Sequence, residues 1–206
     1  MKGNIHNYLE IPADILAPVY EQKMQRDFFD HGPVEGVLNH EEKNIYMIMA
    51  KLPKVLDWLH GQEQPQMLEK KPCAIPLLLF DQQLSFEKLL FHYDGTQDSA
   101  HIIHGFLEKF ELHIKHSQAT IISPSFIPKS KLQEEQALIQ LIRNYTSETS
   151  FIKFNFRKIG DFWSYATKNK STMLVTSKAY QADLAKVLFH FYKGGFWYDN
   201  LSFYLA

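Results

Sequence analysis

The chain has 206 residues, enough for one large domain or one and a half smaller ones, and its 45% hydrophobic and 22% charged shares are those of a globular protein with a real core. A formal net charge of −1 leaves no broad basic face, which removes nucleic acid and anionic membrane from the expected partners. The single Cys73 closes no internal disulfide, no run approaches the ~20 apolar residues of a membrane helix, and MKGNIHNYLEIP carries no apolar leader, so the expected setting is cytoplasmic.

Residues 1–12 fit a helical face and a strand equally, and Pro12 ends either one. In residues 13–25, Ile15, Leu16, Val19, Tyr20 and Met24 keep helical spacing, which predicts a helix bent or restarted at Pro18. Residues 27–30 read as a short strand, and Pro33 opens a helix carrying Val34, Val37 and Leu38. Residues 45–50, IYMIMA, are a continuous apolar run, the pattern of a strand covered on both faces. Pro53 then opens a helix whose apolar face is Val55, Leu56 and Leu59, and Met67-Leu68 adds a turn. Residues 73–80 are a second buried strand, in which Cys73 is expected as a buried structural thiol. Asp81-Gln82-Gln83 is a polar joint and marks the expected domain boundary.

Residues 86–93 form an apolar, β-favouring run that breaks at Asp94-Gly95, and the segment from Thr96 to Ser99 can cap a helix over residues 100–113. That helix buries Ile102, Ile103, Phe106, Leu107 and Phe110. A strand over residues 119–122 leads to a loop at Ser123-Pro124-Ser125, and residues 131–145 form an amphipathic helix through Leu132, Ala137, Leu138, Leu141 and Ile142. Strict alternation over residues 151–156 predicts an edge strand. Gly160-Asp161 starts a helix with Phe162, Trp163 and Tyr165, and residues 172–176 are a buried strand. Residues 181–192 are helical, Gly194-Gly195 ends them, and residues 201–205 close the chain as a strand. Strands alternating with helices predict an α/β protein with an open, doubly wound parallel sheet.

The chain also repeats itself. Gly32 and Gly160, Lys51 and Lys178, and Ile75 and Leu201 each stand about 127 residues apart, so the unit of residues 32–80 recurs at 160–206. Residues 86–126 have no counterpart at that offset. The expected organisation is therefore a partial copy over residues 1–80 and a complete one over 84–206. The first copy lacks its opening strand, first helix and second strand. Either the chain is shortened at its N-terminus, or its first half leans on the complete copy.

The strand LLFHYDGTQDSA with its Asp-Gly-Thr turn, the segments HGPVEGVLNHEEKNIYMIMAK and KIGDFWSYATKNKSTMLVTSK, and the closing strand PCAIPLLLF together resemble the universal stress protein family. The last is similar to the family's Cys-Pro-containing final strand, with the order Pro72-Cys73 here. The resemblance implies a Rossmann-like fold and final strands that pair across a dimer axis. It also implies a nucleotide-binding branch with the pattern Gly-x2-Gly-x9-Gly followed by Ser or Thr, in which glycines let backbone N–H groups reach phosphates. Neither Thr176-Ser177-Lys178-Ala179-Tyr180 nor Ala50-Lys51-Leu52-Pro53 offers those glycines, and of the family's ATP-contacting residues only Asp94 has a matching position.

Ligands of such a sheet sit beyond the carboxyl ends of its strands. If a nucleotide binds, Asp94, Gly95, Thr96, Ser123 and Lys178 are the candidate residues, with ATP or AMP as the ligand. Lys178 and Lys51 fall beside the same strand end in the two copies, where a lysine meets either an anion or solvent. Thr96 and Ser99 read as capping residues, since no base accompanies them. His101 and His104 are one helical turn apart but lack a third ligand, so no metal is expected. The aromatics Phe189, Phe191, Tyr192, Phe196, Trp197, Tyr198, Phe203 and Tyr204 crowd the C-terminus and suit either a packed interface or the end of the core. The expected function is non-catalytic: a tandem universal-stress-type protein, without a cofactor, acting through an unknown protein partner or self-association. Its final strands make a homodimer or an intramolecular pseudo-dimer. The alternatives are a nucleotide-binding switch or weak ATP hydrolase around Asp94, and a regulatory domain of a longer transporter or kinase.

Overall fold

The computed structural model of the chain describes residues 8–20, 45–71, 73–81, 83–191 and 200–206. The expected elements at residues 27–38, the Gly194-Gly195 helix end and the aromatics from Tyr192 to Tyr198 lie outside them.

Among the described residues eight strands form one sheet: β1 (Leu16–Tyr20), β2 (Ile45–Lys51), β3 (Leu77–Phe80), β4 (Lys88–His92), β5 (Gln118–Ser123), β6 (Glu148–Lys153), β7 (Met173–Thr176) and β8 (Ser202–Leu205). Their order is β1-β2-β3-β8-β7-β4-β5-β6. The α/β architecture is the expected one, with one correction: the sheet is mixed. From β8 to β6 every pairing is parallel, as is β2 with β3, whereas β1 pairs with β2 and β3 with β8 antiparallel. Strands from both sides of Asp81 thus share the one sheet.

Among the described residues five α-helices cover the sheet: α1 (Leu52–His60), α2 (Gln97–Ile114), α3 (Leu132–Tyr145), α4 (Ile159–Asn169) and α5 (Gln181–Phe191). Successive strand residues point to opposite faces, so each central strand feeds two cores. Leu77, Leu79, Leu90, Leu174, Phe203 and Leu205 pack on one side with Leu56 and Leu59 of α1, Phe162 of α4 and Leu184 of α5. Leu78, Leu89, Phe91, Met173, Val175 and Tyr204 pack on the other with Phe106, Leu107 and Phe110 of α2 and Ile142 of α3. The apolar runs predicted as two-sided strands are buried because both faces are helix-covered.

The segment predicted as a helix from residue 13 is instead a 3-10 turn, Ala13–Ile15, followed by β1. Pro18 has no N–H to give a helix interior, yet an edge strand needs none on its outer side, and Pro18 sits opposite Ile48 in the outermost strand. The expected strand over residues 73–80 shortens to Leu77–Phe80, leaving Cys73 half-buried before it. In α3, Leu132 and Ala137 are exposed, and Glu135 takes the buried position one turn before Leu138. Of the alternating segment only residues 151–153 are strand, the end of the edge strand β6, while residues 154–156 leave the sheet.

Candidate functional site

The carboxyl ends of β6, β5, β4 and β7 face the same way. Chain order reverses between β4 and β7, because β5 flanks β4 on one side and β7 on the other. Ligands of open α/β sheets bind at that reversal. The residues that leave it are Tyr93 and Asp94 after β4, and Ser177 and Lys178 after β7.

Asp94 is half-buried and organises the turn. Its Oδ1 accepts from Thr96 N (2.9 Å), Thr96 Oγ1 (2.6 Å) and Ser99 Oγ (2.6 Å). Burial pushes the Asp94 carboxyl up, but the hydrogen bonds from Ser99 and Thr96 outweigh it and hold the group below the ordinary carboxylate value. Thr96 is the N-cap of α2, its Oγ1 accepting from Ser99 N at 3.2 Å. The capping role foreseen for Thr96 and Ser99 is the one they have, and α2 begins at Gln97, three residues earlier than spacing suggested. Gly95 has φ of 83°, a backbone conformation that favours glycine, and its carbonyl accepts from Lys131 Nζ at 2.9 Å.

Between the ends of β4 and β7 lies His92, on the same face as Leu90. Its Nδ1 is 2.9 Å from Thr176 Oγ1, and its ring sits 4.0 Å from Phe162 and 4.8 Å from Tyr180, centroid to centroid. Burial lowers the imidazole from 6.5 to about 4, with the nearby Asp94 charge acting in the opposite direction. The ring is therefore neutral at pH 7, and it packs against Phe162 of α4.

Ser123, the last residue of β5, is fully buried, and its Oγ donates to Glu135 Oε1 at 2.5 Å. Lys153 Nζ reaches the same oxygen at 2.6 Å and Ser123 Oγ at 3.3 Å. The cluster joins β5, β6 and α3. With its proton directed at a carboxylate and no solvent contact, the Ser123 hydroxyl is a structural donor.

Lys178 is neither at a lip nor in solvent. Its side chain is 5% exposed, and that of Glu69 is 0% exposed. Lys178 Nζ donates to Glu69 Oε1 (2.7 Å), the Ile75 carbonyl (2.6 Å) and the Cys73 carbonyl (3.0 Å). Three donors meet three acceptors, which is how an ammonium is tolerated inside a protein. Lys51, its match in the first half, is exposed at the end of β2.

The structure thus brings Asp94, Gly95 and Thr96 together in one turn, places Ser123 in a second buried cluster, and points Lys178 toward the first half of the chain. Sequence reading missed His92, Glu135 and Glu69. Glu135 had a signal, a carboxylate in register with Leu138 and Ile142 on the apolar stripe, whereas Glu69 in its polar loop had none. Among the described residues no group of three or more His, Cys, Asp or Glu is placed to hold a metal ion. Among the same residues no helix is long and apolar enough to cross a membrane.

No protein-family model matches the chain, and no curated protein matches it. Among solved structures it is similar to protein Rv1636 of Mycobacterium tuberculosis H37Rv, at 12% identity and a TM-score of 0.35, over 44% of this chain and 70% of that one. It is similar to a protein of the universal stress protein family from Burkholderia pseudomallei, at 12% identity and a TM-score of 0.31, over 43% and 79% of the two chains. A third is a universal stress protein from Archaeoglobus fulgidus, at 9% identity and a TM-score of 0.43, over 66% of this chain and 50% of that one.

Two outcomes are expected from this geometry. Lys178→Met leaves the Glu69 carboxylate buried without its counter-charge and costs about 3–5 kcal/mol in urea unfolding, while adding Glu69→Leu recovers much of the loss. A single substitution as harmless as a surface change would contradict the buried pair. For His92 the folded protein holds fewer protons than the unfolded chain between pH 6.5 and about 4, so acidification through that window removes stability. The loss approaches about 3 kcal/mol by the lower end and then levels off. His92→Gln should flatten that part of the urea-midpoint profile.

Proposed function

We propose that this chain is a non-catalytic protein of the universal-stress type, built as an intramolecular pseudo-dimer about β3 and β8. It works in the cytoplasm during stress through contacts with another protein or with further copies of itself. The observation that carries this reading is the engagement of the strand-end groups by the protein's own atoms. Asp94 Oδ1 holds Thr96 and Ser99, Ser123 holds Glu135, Lys178 holds Glu69, and His92 holds Thr176 across the ends of β4 and β7. A phosphate chain at that edge would have to displace interactions that now satisfy buried groups, at a cost comparable to the contacts it would gain. The antiparallel pairing of Leu77–Leu79 with Phe203–Leu205 supports the pseudo-dimer, since it unites the two expected closing strands within one molecule.

Calorimetric titration with ATP, ADP and AMP tests the reading, together with mass spectrometry of the protein as purified. The expected result is no binding in the micromolar range and no co-purified nucleotide. Micromolar binding that disappears in Asp94→Ala would establish the nucleotide switch instead.

A further inference from the structure

Beside the buried ion pair lies a group that the proposed function does not use. Cys73 is a half-buried residue, and its thiol sits 3.4 Å from Glu69 Oε1 and 3.7 Å from Lys178 Nζ. Glu69 Oε2, fully buried in the same cluster, has no hydrogen-bond partner among the described residues. A thiol, an amine and a carboxylate with a spare acceptor oxygen therefore share one enclosed site, and the chain holds no second cysteine to resolve an oxidised thiol.

We propose that hydroperoxides convert this site into a covalent cross-link, a sulfenamide between Cys73 Sγ and Lys178 Nζ. In the first step the sulfur attacks the peroxide. An S–O bond forms as the O–O bond breaks, sulfur is oxidised by two electrons to the sulfenic acid, the peroxide is reduced, and the thiol proton leaves with the departing oxygen as water or alcohol. In the second step Lys178 passes one proton to Glu69, and its freed lone pair attacks Sγ. The S–N bond forms, the S–O bond breaks, and the departing hydroxide takes a second proton from nitrogen to leave as water. Glu69 ends neutral, as suits a buried acid that has lost its counter-charge. The amine thus plays the part that a resolving thiol plays in a disulfide switch, and the product ties the segment before β3 to the segment after β7.

The full chain treated with hydrogen peroxide and then mapped by mass spectrometry tests this. The expected product is a monomer lighter by two hydrogen atoms, restored by dithiothreitol, in which trypsin no longer cuts after Lys178 and the Cys73 peptide is joined to the one containing that residue. Lys178→Arg, which keeps the charge, should instead accumulate oxygen on Cys73. Should that variant not fold, the wild-type map decides alone. An unchanged mass, a gain of oxygen without cross-linking, a disulfide-linked dimer, or a two-hydrogen loss with cleavage after Lys178 intact would each overturn the proposal.

Discussion

The antiparallel seam between β3 and β8, fastened by the buried Lys178, is the constraint on which the remaining structure rests. Leu77, Leu78 and Leu79 pair with Leu205, Tyr204 and Phe203, all of them buried, so the seam joins the halves by backbone hydrogen bonds and shared cores. Lys178 works from both ends of its own residue. Its backbone N donates to the Ala206 carbonyl at 2.9 Å, just beyond β8, while its ammonium holds the chain before β3. An ion pair taken out of water contributes little net stability compared with an apolar replacement, but losing one partner is costly. Its effect is therefore to penalise any arrangement of the first half that fails to deliver Glu69 and the Cys73 and Ile75 carbonyls.

The same logic governs the strand ends. An α/β sheet collects polar groups at the carboxyl edge, where many such folds place a ligand. Here Asp94 closes a turn, Glu135 and Lys153 secure Ser123, and the neutral His92 ring packs between Phe162 and Tyr180. Each arrangement replaces solvent or ligand contacts with internal ones.

Much of the architecture was legible because long apolar runs bounded by Pro and Gly leave few options. IYMIMA, the Pro53 helix and the strand into Asp94-Gly95 fold as elements of the expected type, and Ser202–Leu205 form the buried closing strand. The errors have physical causes. Helical spacing around Pro18 was matched by chance in a segment whose proline fits an edge strand. The run from Cys73 to Phe80 combined an irregular stretch that feeds carbonyls to Lys178 with the true strand. The parallel expectation could not register the antiparallel pairings, since neither residue type nor period encodes strand direction. The site was least legible: a lysine in a short loop reads as solvated until a distant glutamate is known to meet it, and Glu69 is 109 positions away along the chain.

In the first half β1, β2 and β3 pair with one another, but the inner edge of β3 is completed by β8 and Glu69 is neutralised by the Lys178 ammonium, so this half depends on the second for its stability. Differential scanning calorimetry of residues 1–80, produced alone, tests it most directly. No cooperative heat absorption is expected, because β3 would lose its inner neighbour and Glu69 its cation. A sharp two-state transition in that fragment would contradict it.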